Sequence, residues 1–360
     1  MIVVFKVDLG TYRKIRNLVE KGSYESVENF VEIAVANQIQ LESQGISSMS
    51  APKQIKASYE IEETEPKSRQ LKHHVGSAGF IADFLSVPKT QIPILQTLPI
   101  TDEIKNAPIW GQINRLAPAK LVLRLLANQV ALSGSDRVDL KRFAADVAEN
   151  ATLARVYVEK KDKAQRIRGE GLYVAFPKKD PKSQQRFINF YVGKIPRGKW
   201  TDSVLTGLSF ARIEEAEDGS VSIGLTEAGM QFMRLHSPLI DDFLLKGQQI
   251  DNPFSAEEVE FLLKHTKLFR PGDLEYLISV LQSIKDGAVT PTALRQKTLG
   301  ILRDKNFISN VSEKVVNTMQ VGAIGRLVEM RLLRIEKDAQ KSTYLITDYG
   351  NVLLSREVRQ

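Results

Sequence analysis

The chain has 360 residues, 42% of them apolar and 26% charged, with 50 Lys or Arg against 43 Asp or Glu for a net charge of +7; that is enough chain for two or three globular domains. It contains no cysteine, which excludes disulfides, iron–sulfur clusters and thiolate zinc sites. No apolar run reaches the length of a membrane span and no basic, cleavable leader opens the sequence, so no membrane partner and a cytoplasmic location are expected.

The first predicted element is a strand, Ile2 to Val7, whose period of two puts Val3, Phe5 and Val7 on one face and Ile2, Val4 and Lys6 on the other. A helix follows from about Leu9 to Lys21, with Tyr12, Ile15, Leu18 and Val19 at helical spacing and Gly22 as its stop. Ser26 is placed to cap a second helix that carries Phe30, Val31, Ala34, Val35 and Ile39 on one stripe. A unit of this size exposes too much surface to fold alone, and its single strand offers an unpaired edge to a second copy.

The run Val3-x-Phe5-x-Val7, followed by Leu18-Val19-Glu20-Lys21-Gly22-Ser23-Tyr24-Glu25-Ser26-Val27-Glu28-x-Phe30, resembles the ribbon-helix-helix fold of Arc- and MetJ-type repressors. The resemblance implies a homodimer through residues 1–43, paired by an antiparallel ribbon whose outward side chains enter the major groove of DNA. It also implies that Ile2, Val4 and Lys6 face the bases, while the amides near Ser26 hold a phosphate. Residues 1–44 hold five basic and six acidic residues, whereas residues 101–240 hold 22 and 16. Phosphate affinity must therefore come mainly from the middle of the chain.

Residues 44–100 are expected to be a linker and a docked extended arm. From about Ser43 to Gly79 no period survives in a Ser-, Lys- and Glu-rich stretch, and from Phe80 to Ile100 apolar residues are interrupted by Pro88, Pro93 and Pro99. The adjacent His73 and His74 have diverging side chains and no second ligand cluster nearby, so no metal is expected.

A basic domain is expected over 101–240. Pro118 opens a helix through Leu121, Leu123, Leu125 and Leu126 to Gly134, and a second, from about Asp139 to Tyr157, is expected to bury Leu140, Phe143, Val147, Leu153 and Val156. Between Arg155 and Lys199 there are 13 Lys or Arg against four Asp or Glu, interleaved with Tyr157, Tyr173, Phe176, Phe187, Phe190 and Tyr191. Positive charge with interleaved aromatic side chains suits a groove for nucleic acid, while the helical spacing of Phe187, Phe190 and Tyr191 favours a place in the core; Arg186, Lys194, Arg197 and Lys199 are available for phosphate either way.

One pattern then occurs twice. Leu208 to Glu214 leads through Glu217-Asp218-Gly219 into Leu225-Thr226-x-x-Gly229, and Met330 to Glu336 leads through Lys337-Asp338 into Ile346-Thr347-x-x-Gly350. Each copy reads as a helix end, a hairpin with a polar turn and a Thr-capped helix. The pattern resembles the winged-helix family over roughly 180–240 and 312–355. That resemblance implies a reading helix before each hairpin, at about 201–208 with Asp202, Ser203 and Thr206 outward, and at about 312–332 with Lys314, Arg326 and Glu329 outward. It also implies backbone contacts from a wing carrying Lys337 and Lys341.

None of the four histidines lies in a metalloprotease motif or beside a nucleophile, and there is no phosphate-binding glycine loop, so no enzyme and no cofactor are expected. The expected protein is mainly α with small β elements (α+β): a ribbon-helix-helix dimeriser, a linker, and winged-helix-like domains over 101–240 and 241–360. Its expected function is that of a nucleoid-associated, homodimeric DNA-binding regulator acting on double-stranded DNA by site occupancy. The alternative is a scaffold, or an antitoxin or defence-system component, whose winged helices hold a protein partner.

Overall fold

The structure, a computed structural model, describes residues 85–97, 100–164, 171–193, 203–308, 311–338 and 341–357, together with Ile15, Val19, Val27, Phe30 and Val31. The chain forms two units, Met1–Leu71 and Lys72–Gln360. In the first, the five described residues are helical, with Ile15 buried and the others half-buried. The ribbon strand, Val4, Lys6 and Ser26 lie outside the described residues.

The second unit is mainly helical with small antiparallel sheets. It runs α1 (Asp102–Asn106), α2 (Ala117–Ser133), β1 (Val138–Asp139), α3 (Leu140–Ala164), a 3-10 turn (Leu172–Ala175), α4 (Pro181–Tyr191), α5 (Val204–Gly207), β2 (Ala211–Glu215), β3 (Val221–Leu225) and α6 (Glu227–Arg234). A π-helix (Pro238–Leu244) leads into α7 (Ala256–Phe269), α8 (Pro271–Lys285), α9 (Pro291–Asp304), α10 (Glu313–Glu329), β4 (Leu333–Asp338), β5 (Lys341–Ile346) and α11 (Asp348–Glu357). The boundary expected at 240/241 falls inside the π-helix, and one hydrophobic core runs on both sides of it. Among the described residues no helix is long and apolar enough to cross a membrane.

One order of elements occurs twice. In the first copy α2, β1, α3 and α4 precede the β2–β3 hairpin, and β3 lies between β1 and β2. In the second, α8, α9 and α10 precede the β4–β5 hairpin, and Val289, between α8 and α9, accepts a hydrogen bond from Tyr344 N at 2.8 Å. Val289 thus stands where β1 stands in the first copy.

The sequence repeat corresponds to one hydrogen-bonded corner built twice. Ser209 and Arg331 adopt positive φ, 53° and 59°, immediately before their strands. The Thr226 hydroxyl donates to Ser209 O at 2.5 Å and accepts from Gly229 N at 3.2 Å, while Thr347 donates to Arg331 O at 2.6 Å and accepts from Gly350 N at 3.1 Å. A Cβ on Gly229 or Gly350 would fall on the carbonyl oxygen of Phe210 or Leu332, so the fourth position of each T-x-x-G has room only for hydrogen.

Helix α2 is the axis of the unit. Pro118 sits in its first turn, it stops at Gly134, and it is buried on all sides from Ala117 to Asn128, so that only its last turn reaches solvent. That burial takes in three polar side chains, which are costly unless each is paired. Lys120 Nζ lies 3.0 Å from Glu258 on α7, donates to Leu235 O at 2.9 Å and to Phe232 O, and sits 4.5 Å from the centre of the Phe232 ring. Burial pushes its pKa down to about 8 against the pull of Glu258. Arg124 donates to Asp241 at 3.0 Å and to Leu85 O at 3.1 Å, and Asn128 donates to Ser86 O at 2.9 Å. These last bonds hold the extended segment 85–97 against α2, while Leu95 N donates to Leu225 O at 2.7 Å at the end of β3.

Two sequence expectations are corrected. Leu153 and Val156 are not in the core but exposed, because they lie across the helix from Phe143 and Val147. The helix expected at 201–208 shrinks to the single turn α5, in which Val204, Leu205 and Gly207 are buried and Ser203 is a buried cap.

The segment 107–116 packs on α10 so closely that Gly111 and Gly322 meet backbone to backbone; a Cβ on Gly322 would collide with Gly111 Cα and O. Gly322→Ala should therefore cost about 1–3 kcal/mol through overpacking, read as a lower urea midpoint. An unchanged midpoint would contradict that packing.

Candidate nucleic-acid interface

Helix α4 carries an exposed polar stripe with positive charge. Its N-terminus is set by Asp180, whose carboxylate accepts from Ser183 N at 2.9 Å, and by Pro181 in the first turn. Phe187, Ile188 and Tyr191 turn inward, with the Phe187 and Tyr191 rings tilted against each other at 4.5 Å between centres, and Gln184 donates to Thr152 of α3 at 3.0 Å. Lys182, Gln185 and Arg186 are exposed on the other side and Asn189 is half-buried, accepting from Gln185 at 2.9 Å. Lys178 and Lys179, also exposed, stand just ahead of the helix. Lys194, Arg197 and Lys199 follow it in sequence and lie outside the described residues.

The chemistry of this stripe suits duplex DNA. Cations neutralise phosphates, and Arg, Gln and Asn can each make paired hydrogen bonds to base edges in a major groove. The aromatic side chains of the basic stretch, in contrast, are mostly in the core: Tyr157, Phe176, Phe187 and Tyr191 are buried.

The first hairpin offers little to phosphate. Glu214 is tied to Arg137 and, at 2.6 Å, to Arg212, while Glu215, Glu217 and Asp218 are exposed. The second hairpin exposes Lys337 and Lys341, the latter paired in register with Asp338.

Helix α10, expected to read DNA, is largely covered by the chain itself. Lys314 is exposed, but Arg326 and Glu329 are buried, a correction to both. Arg326 donates to Asp273 at 2.9 Å, to Ile113 O at 2.9 Å and to Ile109 O at 3.4 Å, and Asp273 also accepts from Ile109 N at 2.8 Å. An arginine with those partners holds the segment 107–116 and cannot reach a phosphate.

Glu329 caps helix α2 from the far end of α10. Its Oε2 accepts from Leu116 N and, at 3.2 Å, from Ala117 N, where the positive end of the helix dipole favours a carboxylate. Tyr191, at the end of α4, donates to Arg115 O at 2.9 Å beside it. Full burial outweighs these hydrogen bonds and the attraction of Arg115 and Arg326, and pushes the Glu329 pKa up to about 7. A carboxyl with a raised folded pKa holds its proton more tightly when folded. Its ionisation therefore costs nothing at low pH and progressively more as pH rises from 4.5 to about 7.

Glu329→Gln, which keeps an acceptor for both amides, should accordingly gain stability relative to the native chain as pH rises through that window and hold the gain above it. Thermal midpoints of both proteins between pH 4 and 8 test this; a difference independent of pH would contradict it. No protein-family model, curated protein or solved structure matches the chain.

Proposed function

We propose that the chain is a DNA-binding protein, a homodimer through its N-terminal residues, that acts by occupying sites on double-stranded DNA. In this reading residues 101–240 form a winged-helix-like module with α4 as its reading helix, in place of the turn at 204–207. The observation that carries the proposal is the exposed stripe Lys182, Gln185 and Arg186, continued by the half-buried Asn189, on a helix lying between α3 and the hairpin, the order in which a helix-turn-helix presents its second helix. Lys194, Arg197 and Lys199 extend the same positive region in sequence, and Lys337 and Lys341 are the candidates for a backbone contact from the second hairpin.

A second reading, the protein-interaction scaffold, is favoured by α10. The helix equivalent to a reading helix in the second repeat already binds polypeptide, the segment 107–116, through Gly322 and Arg326. A module of this kind can hold a protein.

Salt dependence separates the two. Each phosphate neutralised adds about 0.9 to the slope of log affinity against log salt, so Lys182→Ala/Arg186→Ala should weaken duplex binding and reduce that slope by about one to two. If the native chain binds no duplex at low salt while a protein co-purifies with it, the scaffold reading replaces this one.

A further inference from the structure

One side of helix α3 exposes apolar side chains at its centre. Leu153 is 40% and Val156 60% exposed in the middle of a helix of 25 residues whose opposite side buries Phe143, Val147, Ala151, Ala154 and Val158. At 3.6 residues per turn, Glu149, Leu153, Val156 and Lys160 fall within about 60° of one another on the helix surface, and Glu149 and Lys160 are both exposed. The result is a stripe with an apolar centre, an acid on one side and a base on the other. Each charge stands four residues out from the nearer apolar residue. Val174, also 40% exposed, lies on the 3-10 turn that Arg155 holds to α3 by bonds to Tyr173 O and Phe176 O at 3.0 and 2.8 Å.

We propose that this stripe docks on the same stripe of a second copy of the chain, the two α3 helices packing antiparallel about a two-fold axis midway between Leu153 and Val156. A two-fold contact requires a surface that is complementary to itself when reversed. Reversal sets Leu153 of one protomer against Val156 of the other, and Glu149 against Lys160. A parallel arrangement would set like charges together, which is unfavourable. Equal spacing of opposite charges about an apolar centre therefore selects a second copy over an unrelated helix, which would have no reason to match it. The contact stands apart from any role in binding DNA. Its consequence for DNA does rest on that reading: Gln184 ties α4 to Thr152 beside the stripe, so the axis would relate two reading helices and call for a site with two-fold symmetry.

The absence of native cysteine makes the contact directly testable in the full-length chain. Single variants Leu153→Cys and Val156→Cys are prepared, mixed, allowed to exchange partners and oxidised without DNA, and disulfide-linked dimer is followed by non-reducing electrophoresis. The 153–156 pairing directly across the axis should link several-fold faster in the mixture than either variant alone, and faster than Leu132→Cys, which is 66% exposed on α2. In the same background Glu149→Lys should slow linking several-fold, and adding Lys160→Glu should restore it. Equal rates for the mixture and the single variants, or no restoration by the double reversal, would overturn the proposal. Because no DNA is present, neither result depends on the function proposed above.

Discussion

The architecture depends on keeping the buried helix α2 satisfied. A helix enclosed through its first three turns must find partners for its own N-terminal amides and for Lys120, Arg124 and Asn128. They come from distant parts of the chain: Glu329 for the amides, Glu258 and Leu235 O for Lys120, Asp241 and Leu85 O for Arg124, and Ser86 O for Asn128. Each partner is expensive to lose because a buried donor or charge would remain unmatched. The segment before the repeats, the stretch between them and the second repeat are thereby all bound to α2.

That arrangement gives two similar halves different uses. Both hairpins are closed by the same threonine corner and the same restriction to glycine. Yet α10 spends Arg326 and Glu329 on the segment 107–116 and on α2, while α4 spends only Phe187, Ile188 and Tyr191 inward and leaves its polar side to solvent. Tyr191, Arg115 and Glu329 meet where the two helices approach α2. The second repeat thus supports the position of the first, and the first retains the surface with chemistry suited to phosphate and base edges.

What could be read from sequence was local. The threonine corners were legible because cap, turn and glycine all lie within a few residues, and the inward set Phe187 and Tyr191 followed from spacing alone. Arg326 and Glu329 were not, since charged residues on an amphipathic helix read as solvent-facing unless their partners are known, and these partners lie 53 residues earlier for Asp273 and more than two hundred earlier for the backbone of 109–117. Leu153 and Val156 could have been found: they fall on the opposite side of α3 from Leu140, Phe143 and Val147, and a strict account of helical phase separates them. Position directly before the hairpin favours a helix at 201–208, whereas burial of Val204 and Leu205 turns that short stretch inward and leaves α4 as the exposed helix.

Helices α4 and α10 divide their labour around α2, α4 turning its polar side to solvent and α10 committed to the chain itself. Amide hydrogen exchange of the full-length chain, with and without excess duplex DNA at low salt, distinguishes the two. New protection is expected across residues 178–191, with α10 already protected before DNA is added and unchanged by it. Unchanged exchange across 178–191, or new protection appearing along 313–329 instead, would contradict this division of labour.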